Sequence, residues 1–241
     1  MYYSTMAHTY ARPETTASRT SDRPLALLFD LDGTLADSVE LIVGAYRHAF
    51  TTHLNGTPDD EQWISGMGTP LLGQIRKLVG DEALVDPFLT TYREFQRLNH
   101  DRLMREFDGV RDTLELLHRR GHPTAVVTSK ANDGAHRAIK LLELEPFLDE
   151  LVGLDSCQHH KPDPEPVLLA LDLLGYSPAE ALFLGDSPHD VRAGNEAGVT
   201  TVAALWGPFP RPALEAASPR FLIEHIRELP ALIATLEHGA R

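Results

Sequence analysis

The chain has 241 residues, with 35 Asp and Glu against 22 Lys and Arg, for a formal charge of −13. That balance argues against a nucleic-acid or anionic-membrane partner, both of which need a basic face, and no apolar run approaches the ~20 residues of a membrane span. A hydrophobic fraction of 42% allows a sizeable core, and the single cysteine, Cys157, rules out an internal disulfide and suits a reducing, cytoplasmic setting.

In chain order, residues 1–23 are rich in Ser, Thr, Arg and Tyr, lack a hydrophobic centre, and read as a disordered tail rather than a secretory signal. LALLF (25–29) reads as a buried strand. Helical patterns then run near 38–53, 58–65, 70–79 and 83–103, broken only by Gly and Pro. This stretch is too long for one crossover, so residues 37–106 are expected to form an inserted helical cap. Its hinges are expected near Ala36–Val39 and Glu106–Gly109. Beyond it, strands TAVVT (124–128), ELVGL (150–154), ALFLG (181–185) and TVAAL (201–205) alternate with helices at 110–120, 131–144, 164–174 and 188–197. RPALEAASPR (211–220) reads as a loop and 221–236 as a last helix. The alternation predicts an α/β fold: a Rossmann-like parallel sheet core from residues 24–36 and 107–241, with the helical cap inserted.

In such a sheet, ligands bind beyond the carboxyl ends of the strands. FDLDGTLADS (29–38) puts Asp30 at the end of the first strand and Asp32 two residues later, leaning the same way. Two carboxylates so close are tolerable if one is protonated or if a divalent cation sits on them. Gly33 and Thr34 offer N–H groups in a tight turn, a nest for phosphate oxygens. GDSPHD (185–190) adds Asp186 at the sheet edge and Asp190 one turn into a helix. Asp30, Asp186 and a backbone carbonyl at Asp32 suit Mg²⁺, while Asp190 is placed to hold a metal-bound water or to orient Lys161. TSK (128–130) can cradle oxygens through Thr128 and the N–H groups after it, from Ser129 onward. Lys161, in the Pro-stiffened HHKPDPEPV loop, can neutralise nucleophile and phosphate. Each piece alone has a bland reading as a turn, a cap or a surface lysine. Together they lie at the carboxyl ends of different predicted strands.

This set, in this order, resembles the haloacid dehalogenase (HAD)-like superfamily over residues 25–235: FDLDGTLADS its first motif, VVTSK its second, KPDPEP its third and LFLGDSPHD its fourth. The cap position matches the helical C1 type. The resemblance implies that Asp30 attacks phosphorus to form an aspartyl-phosphate and that Asp32 protonates the leaving oxygen and then activates water. It also implies that Thr128 and Lys161 hold the phosphoryl group, with Mg²⁺ as cofactor. Dehalogenating members lack an acid at the position of Asp32, so phosphate chemistry is expected. ISGMGTPLLGQI and KPDPEPVLLALDLLG resemble phosphoglycolate phosphatases and the related pyrophosphatases. A sugar-phosphate phosphatase, a β-phosphoglucomutase-like phosphotransferase and a non-catalytic binder of phosphorylated metabolites stay as alternatives. The expected partner is a small phosphorylated metabolite or pyrophosphate, and the expected assembly a monomer or homodimer. Gly68, Thr69 and Arg76 are expected to read the substrate's far end. No histidine set has convincing ligand spacing, and Cys157 lacks an evident base partner.

Overall fold

The computed structural model describes residues 23–238, so nearly all of the expected tail lies outside it. Arg23 is within it, its guanidinium 3.7 Å over the Tyr176 ring and hydrogen-bonded to Glu180 at 3.1 and 3.2 Å.

The chain runs β1 (Ala26–Phe29), β2 (Ala36–Asp37), α1 (Val39–His53), α2 (Asp60–Ser65), α3 (Leu71–Val79), α4 (Glu82–Leu103), β3 (Arg105–Glu106), α5 (Val110–Arg119) and β4 (Thr124–Val127). It continues through α6 (Asn132–Leu141), β5 (Glu150–Val152), α7 (Glu165–Leu174), β6 (Ala181–Gly185), α8 (Pro188–Ala197), β7 (Thr200–Ala204), α9 (Arg211–Ala216), β8 (Phe221–Ile223) and α10 (Leu229–His238). Six strands form one parallel sheet in the order β5-β4-β1-β6-β7-β8. Leu28 pairs with Ala125 on one side and Phe183 on the other, which puts β1 in the middle.

The apolar runs do not alternate because both sheet faces are covered. Leu27, Phe29, Val126, Leu182 and Leu184 face α5, α6 and α10 through Leu114, Ile139 and Leu229. Ala26, Leu28, Val127 and Phe183 face α7 and α8 through Val167, Leu171 and Ala193. The strand order reverses between β1 and β6, which is the switch point where α/β sheets open a crevice.

Helices α1–α4 lie between β2 and β3, which pair antiparallel as a two-stranded stem (Ala36 with Glu106, Asp37 with Arg105). Asp59 caps α2 by accepting from the Gln62 N–H at 3.0 Å, and Asp81 caps α4 from Ala83 at 3.0 Å. Their apolar faces meet in a separate cluster that includes Tyr46, Trp63, Ile75, Phe88 and Tyr92, with Tyr46 and Trp63 stacked at 4.6 Å.

Two expectations near the C-terminus are corrected. Residues 221–236 are not one helix: Phe221–Ile223 forms the edge strand β8 beside β7, and α10 begins at Leu229 with Pro230 in its first turn. Three apolar residues are too short a run to reveal their period. The stretch expected as a loop contains α9, preceded by Pro210 and held by the buried Leu214.

Phe88→Ala is expected to destabilise the α1–α4 layer by about 3–5 kcal/mol. Hydrogen exchange should show the loss in α1 and α4 amides before those of the sheet, and unchanged protection there would contradict a separate packing unit.

Candidate active site

Asp30 follows β1 directly, and its own N–H is tied to the Leu184 carbonyl at 2.9 Å, so its position is set by the sheet. Its side chain is buried, and Oδ1 accepts from Lys161 Nζ at 2.8 Å. The same ammonium donates to Asp190 Oδ1 at 2.6 Å and to the Val127 carbonyl at 3.1 Å, which uses all three of its N–H donors. Asp190 is held in turn by a capping box at the start of α8, its Oδ2 accepting from the Ser187 N–H at 3.0 Å and the Ser187 hydroxyl at 2.6 Å.

Asp186 completes the group. It is 2% exposed, accepts from Thr34 Oγ1 at 2.9 Å, and lies so close to two glycines that a Cβ at Gly33 or Gly207 would sit 2.5 or 2.3 Å from it. Ligand atoms of Asp30, Asp186 and Asp190 all lie within 4.8 Å of one another. Three carboxylates against one ammonium leave two uncompensated buried negative charges if all ionise. The pKa shifts follow: burial, then the Asp190 charge, push Asp30 up to about 7, with Lys161 opposing. Burial with Asp30 and Asp190 drives Asp186 well above the usual carboxylate range. Burial would lower Lys161, but Asp190 and Asp30 outweigh it and raise it. Hard oxygen donors with a net negative charge fit a divalent cation such as Mg²⁺.

Asp32 has a different environment. Lys130 Nζ donates to both of its carboxylate oxygens, at 2.8 and 2.7 Å. Burial pushes Asp32 up, but the Lys130 charge and hydrogen bonds outweigh it and hold the acid below its usual range. Two acids one residue apart are thus held by two different lysines.

Other expected site residues fall as follows. Thr128, 5% exposed, lines the cavity beside Asp30 and Asp32. Ser129 lines it too, but its hydroxyl donates to the Gly68 carbonyl at 2.6 Å, tying the loop before α3 to the sheet end. The Gly33 and Thr34 N–H groups close the turn, bonding to the Ala36 and Leu31 carbonyls at 2.8 and 3.3 Å, and so do not form the expected phosphate nest. Gly33, at φ +91°, is needed for that turn and for the approach of Asp186. Gly68 and Thr69 line the cavity. Arg76 is not among the lining residues: it is half exposed on α3 and paired with Glu82 at 2.9 Å. The basic side chain from this layer that does line the cavity is Arg93, on α4.

Sequence reasoning gave no role to Lys130, although it is the third residue of the quoted TSK. It also missed the contact that locks the turn, Trp206 Nε1 donating to the Thr34 carbonyl at 2.9 Å across 172 residues. Trp63 Nε1 and Gln74 Oε1, both from lining residues, are buried without a partner. One histidine cluster does exist, His159 with Asp163 and Glu165, but His159 is exposed and its Nδ1 already contacts Glu165 at 2.6 Å. Burial, then Glu165 and Asp163, push the Cys157 thiol up to about 11.

The family model for haloacid dehalogenase-like hydrolases matches residues 27–204. The chain belongs to this family. "Pyrophosphatase PpaX" of Bacillus cereus (strain AH820) is 36% identical over 213 residues, covering 88% of this chain and 98% of that protein. "Pyrophosphatase PpaX" of Bacillus velezensis is 37% identical over 210 residues, covering 87% and 96%. A solved structure from Haemophilus somnus 129PT, described as a predicted phosphoglycolate phosphatase, superposes with TM-score 0.79 at 21% identity, covering 89% of this chain and 99% of that one. That last likeness concerns the fold. The chain is a hydrolase of the family's phosphatase branch, and among its described residues no helix is long and apolar enough to cross a membrane.

The raised carboxylates set a pH dependence for the metal-free protein. Asp30 moves from an ordinary 3.8 to about 7 on folding, so between those values the folded state binds more protons than the unfolded one. Stability of the metal-free chain should therefore fall as pH rises from about 4 through 7, and added Mg²⁺ should raise the melting temperature more at pH 8 than at pH 5. Equal shifts at both pH values would contradict the charge assignment.

Proposed function

We propose that this hydrolase is a Mg²⁺-dependent phosphatase acting through an aspartyl-phosphate on Asp30, with pyrophosphate among its substrates. The observation that carries the reading is the placement of Asp30 and Asp32 side by side on one cavity, with Lys161 on the first and Lys130 on the second. The cavity is about 230 Å³, below the roughly 300–1,000 Å³ of pockets that hold drug-sized ligands, which favours a substrate of few atoms. The names of the Bacillus relatives support pyrophosphate over phosphoglycolate.

In this mechanism Lys161, itself held by the Val127 carbonyl, fixes the Asp30 carboxylate so that one oxygen faces phosphorus. Asp32 supplies a proton to the leaving oxygen and then takes one from the water that opens the acyl-phosphate. Because Lys130 holds Asp32 ionised, substrate binding must draw Lys130 toward the leaving group before Asp32 can carry a proton. Thr128 and the backbone after β4 hold phosphoryl oxygens, and the unpartnered Trp63 Nε1–H is a donor for the far end. Asp30 and Asp186, with the main chain at Asp32, would hold Mg²⁺, which when bound neutralises nucleophile and phosphoryl charge. The α1–α4 layer acts as the cap. Its Gly66–Thr69 loop is latched by Ser129 and by Met67 packing with Val191 and Phe209, and opening about the β2–β3 stem admits substrate.

Asp30→Asn should lower kcat on pyrophosphate by several orders of magnitude, and Asp32→Asn by about 10²–10⁴-fold. Phosphorus-labelled protein should accumulate in Asp32→Asn quenched with acid. Full activity of Asp30→Asn would reject the mechanism. A mutase would instead release an isomerised sugar phosphate in single turnover, where a phosphatase releases orthophosphate.

A further inference from the structure

A second cavity of about 180 Å³ adjoins the first, between α4 and α6, and the two share Arg93, Gln96, Lys130 and Gly134. Of its eight lining residues, five carry guanidinium, ammonium or imidazole groups: Arg93, Arg97, His100, Lys130 and Arg137. None is acidic. In a chain with a formal charge of −13, such a local reversal of sign is a specific feature rather than the average surface.

The periodicity of the two helices builds the groove. Positions 93, 96, 97 and 100 share one face of α4, Arg93 and Arg97 standing one turn apart, about 6 Å along the axis. Gly134 and Arg137 share a face of α6. A Cβ at Gly134 would come within 3.3 Å of the Lys130 stem, so the glycine leaves room for that side chain at the junction of the two cavities. Among the described residues Arg93 and Arg97 have no hydrogen-bond or ion-pair partner. Arg137 is partly neutralised by Asp101 at 2.7 Å. His100 is 5% exposed, its Nδ1 lies 2.8 Å from Asp101, and its Nε2 is buried with no partner. The unpartnered Arg93 and Arg97, with Lys130 and Arg137 lining the same groove, fit an anionic occupant.

The chemistry of the walls narrows that occupant. Leu41 is the one apolar side chain of the groove, and no ring there offers a base a stacking face. Trp63 and Tyr92, in the first cavity, are 4% and 2% exposed, and Trp63 already stacks on Tyr46. The groove suits repeated phosphates, not a nucleoside.

We propose that it holds the distal phosphates of a linear condensed phosphate of three or more units, whose terminal phosphoryl group reacts at Asp30. This rests on the phosphatase reading above and names its substrate class. An Asp30 oxygen bonds to the terminal phosphorus as the adjacent anhydride P–O bond breaks, and the shortened chain leaves with that bridging oxygen and the proton of Asp32. Water then cleaves the aspartyl-phosphate, returns a proton to Asp32 and releases orthophosphate, so each cycle consumes one water and shortens the chain by one unit.

The test compares kcat/KM for p-nitrophenyl phosphate, pyrophosphate, tripolyphosphate and tetrapolyphosphate, with Mg²⁺ in excess over total phosphate. The wild-type chain should prefer tripolyphosphate to pyrophosphate by tenfold or more. Arg97→Ala, at an exposed position without a partner, should reduce the tripolyphosphate-to-pyrophosphate ratio by at least tenfold, and Arg97→Lys should restore part of it. Tripolyphosphate no better than pyrophosphate, or a ratio unchanged in Arg97→Ala, would overturn the proposal while leaving the phosphatase reading intact. Failure of the wild type on all four substrates would instead remove the phosphatase reading itself.

Discussion

The site depends on one buried ammonium shared between two carboxylates with a third close by. Lys161 is 2% exposed and bridges Asp30 and Asp190, while Asp186 stands within ligand distance of both without a cation of its own. Burying charge is costly unless it is paired, and an incompletely paired cluster shifts its pKa values or recruits a cation. Gly33 and Gly207 let the backbone close on Asp186, and Gly185 does the same for Asp190, where a Cβ would come within 2.4 Å. The surrounding loops therefore hold the carboxylates together against the repulsion they would feel when ionised, which costs stability.

The fold supplies the convergence. Asp30, Asp186 and Thr128 come from the ends of three neighbouring parallel strands, β1, β6 and β4, so register alone places them at one edge. The α1–α4 layer then covers that edge. Its separate aromatic core lets it pack as a unit on the two-stranded stem, and its contacts with the rest of the chain include Gly68 to Ser129, Met67 among Val191, Phe209 and Leu214, Asp101 to Arg137, and Leu41 within the sheet's own cluster. The charge of the lining reverses over a short distance, from Asp30 and Asp32 to Arg93, Arg97 and Arg137 on α4 and α6.

Most of this was legible in the sequence for a physical reason. Buried parallel strands read as unbroken apolar runs, and the acids that follow them stand out against that background, so β1, β4, β6 and β7 and the residues Asp30, Asp186 and Lys161 could be placed from spacing. Short elements were not legible. Phe221–Ile223 has too few residues to show a period, and α9 is hidden in a Pro- and Ala-rich stretch. The residues misjudged were those whose partners only the folded chain reveals, whether near in sequence, as for Gly33 and Arg76, or far, as for Lys130. Whether an N–H at Gly33 is free, whether Arg76 faces the cavity, and that Lys130 reaches Asp32 across 98 residues are settled by packing, not by local pattern.

The central claim is that the buried acids, when all ionised, carry more negative charge than Lys161 balances, and that a divalent cation completes them. Titration calorimetry of Mg²⁺ into the metal-free protein near pH 7, repeated in buffers of different ionisation enthalpy, tests it directly. The account predicts one ion per chain, bound with net release of protons, and loss of that binding in Asp186→Ala. Absence of binding, or binding that Asp186→Ala leaves untouched, would contradict it.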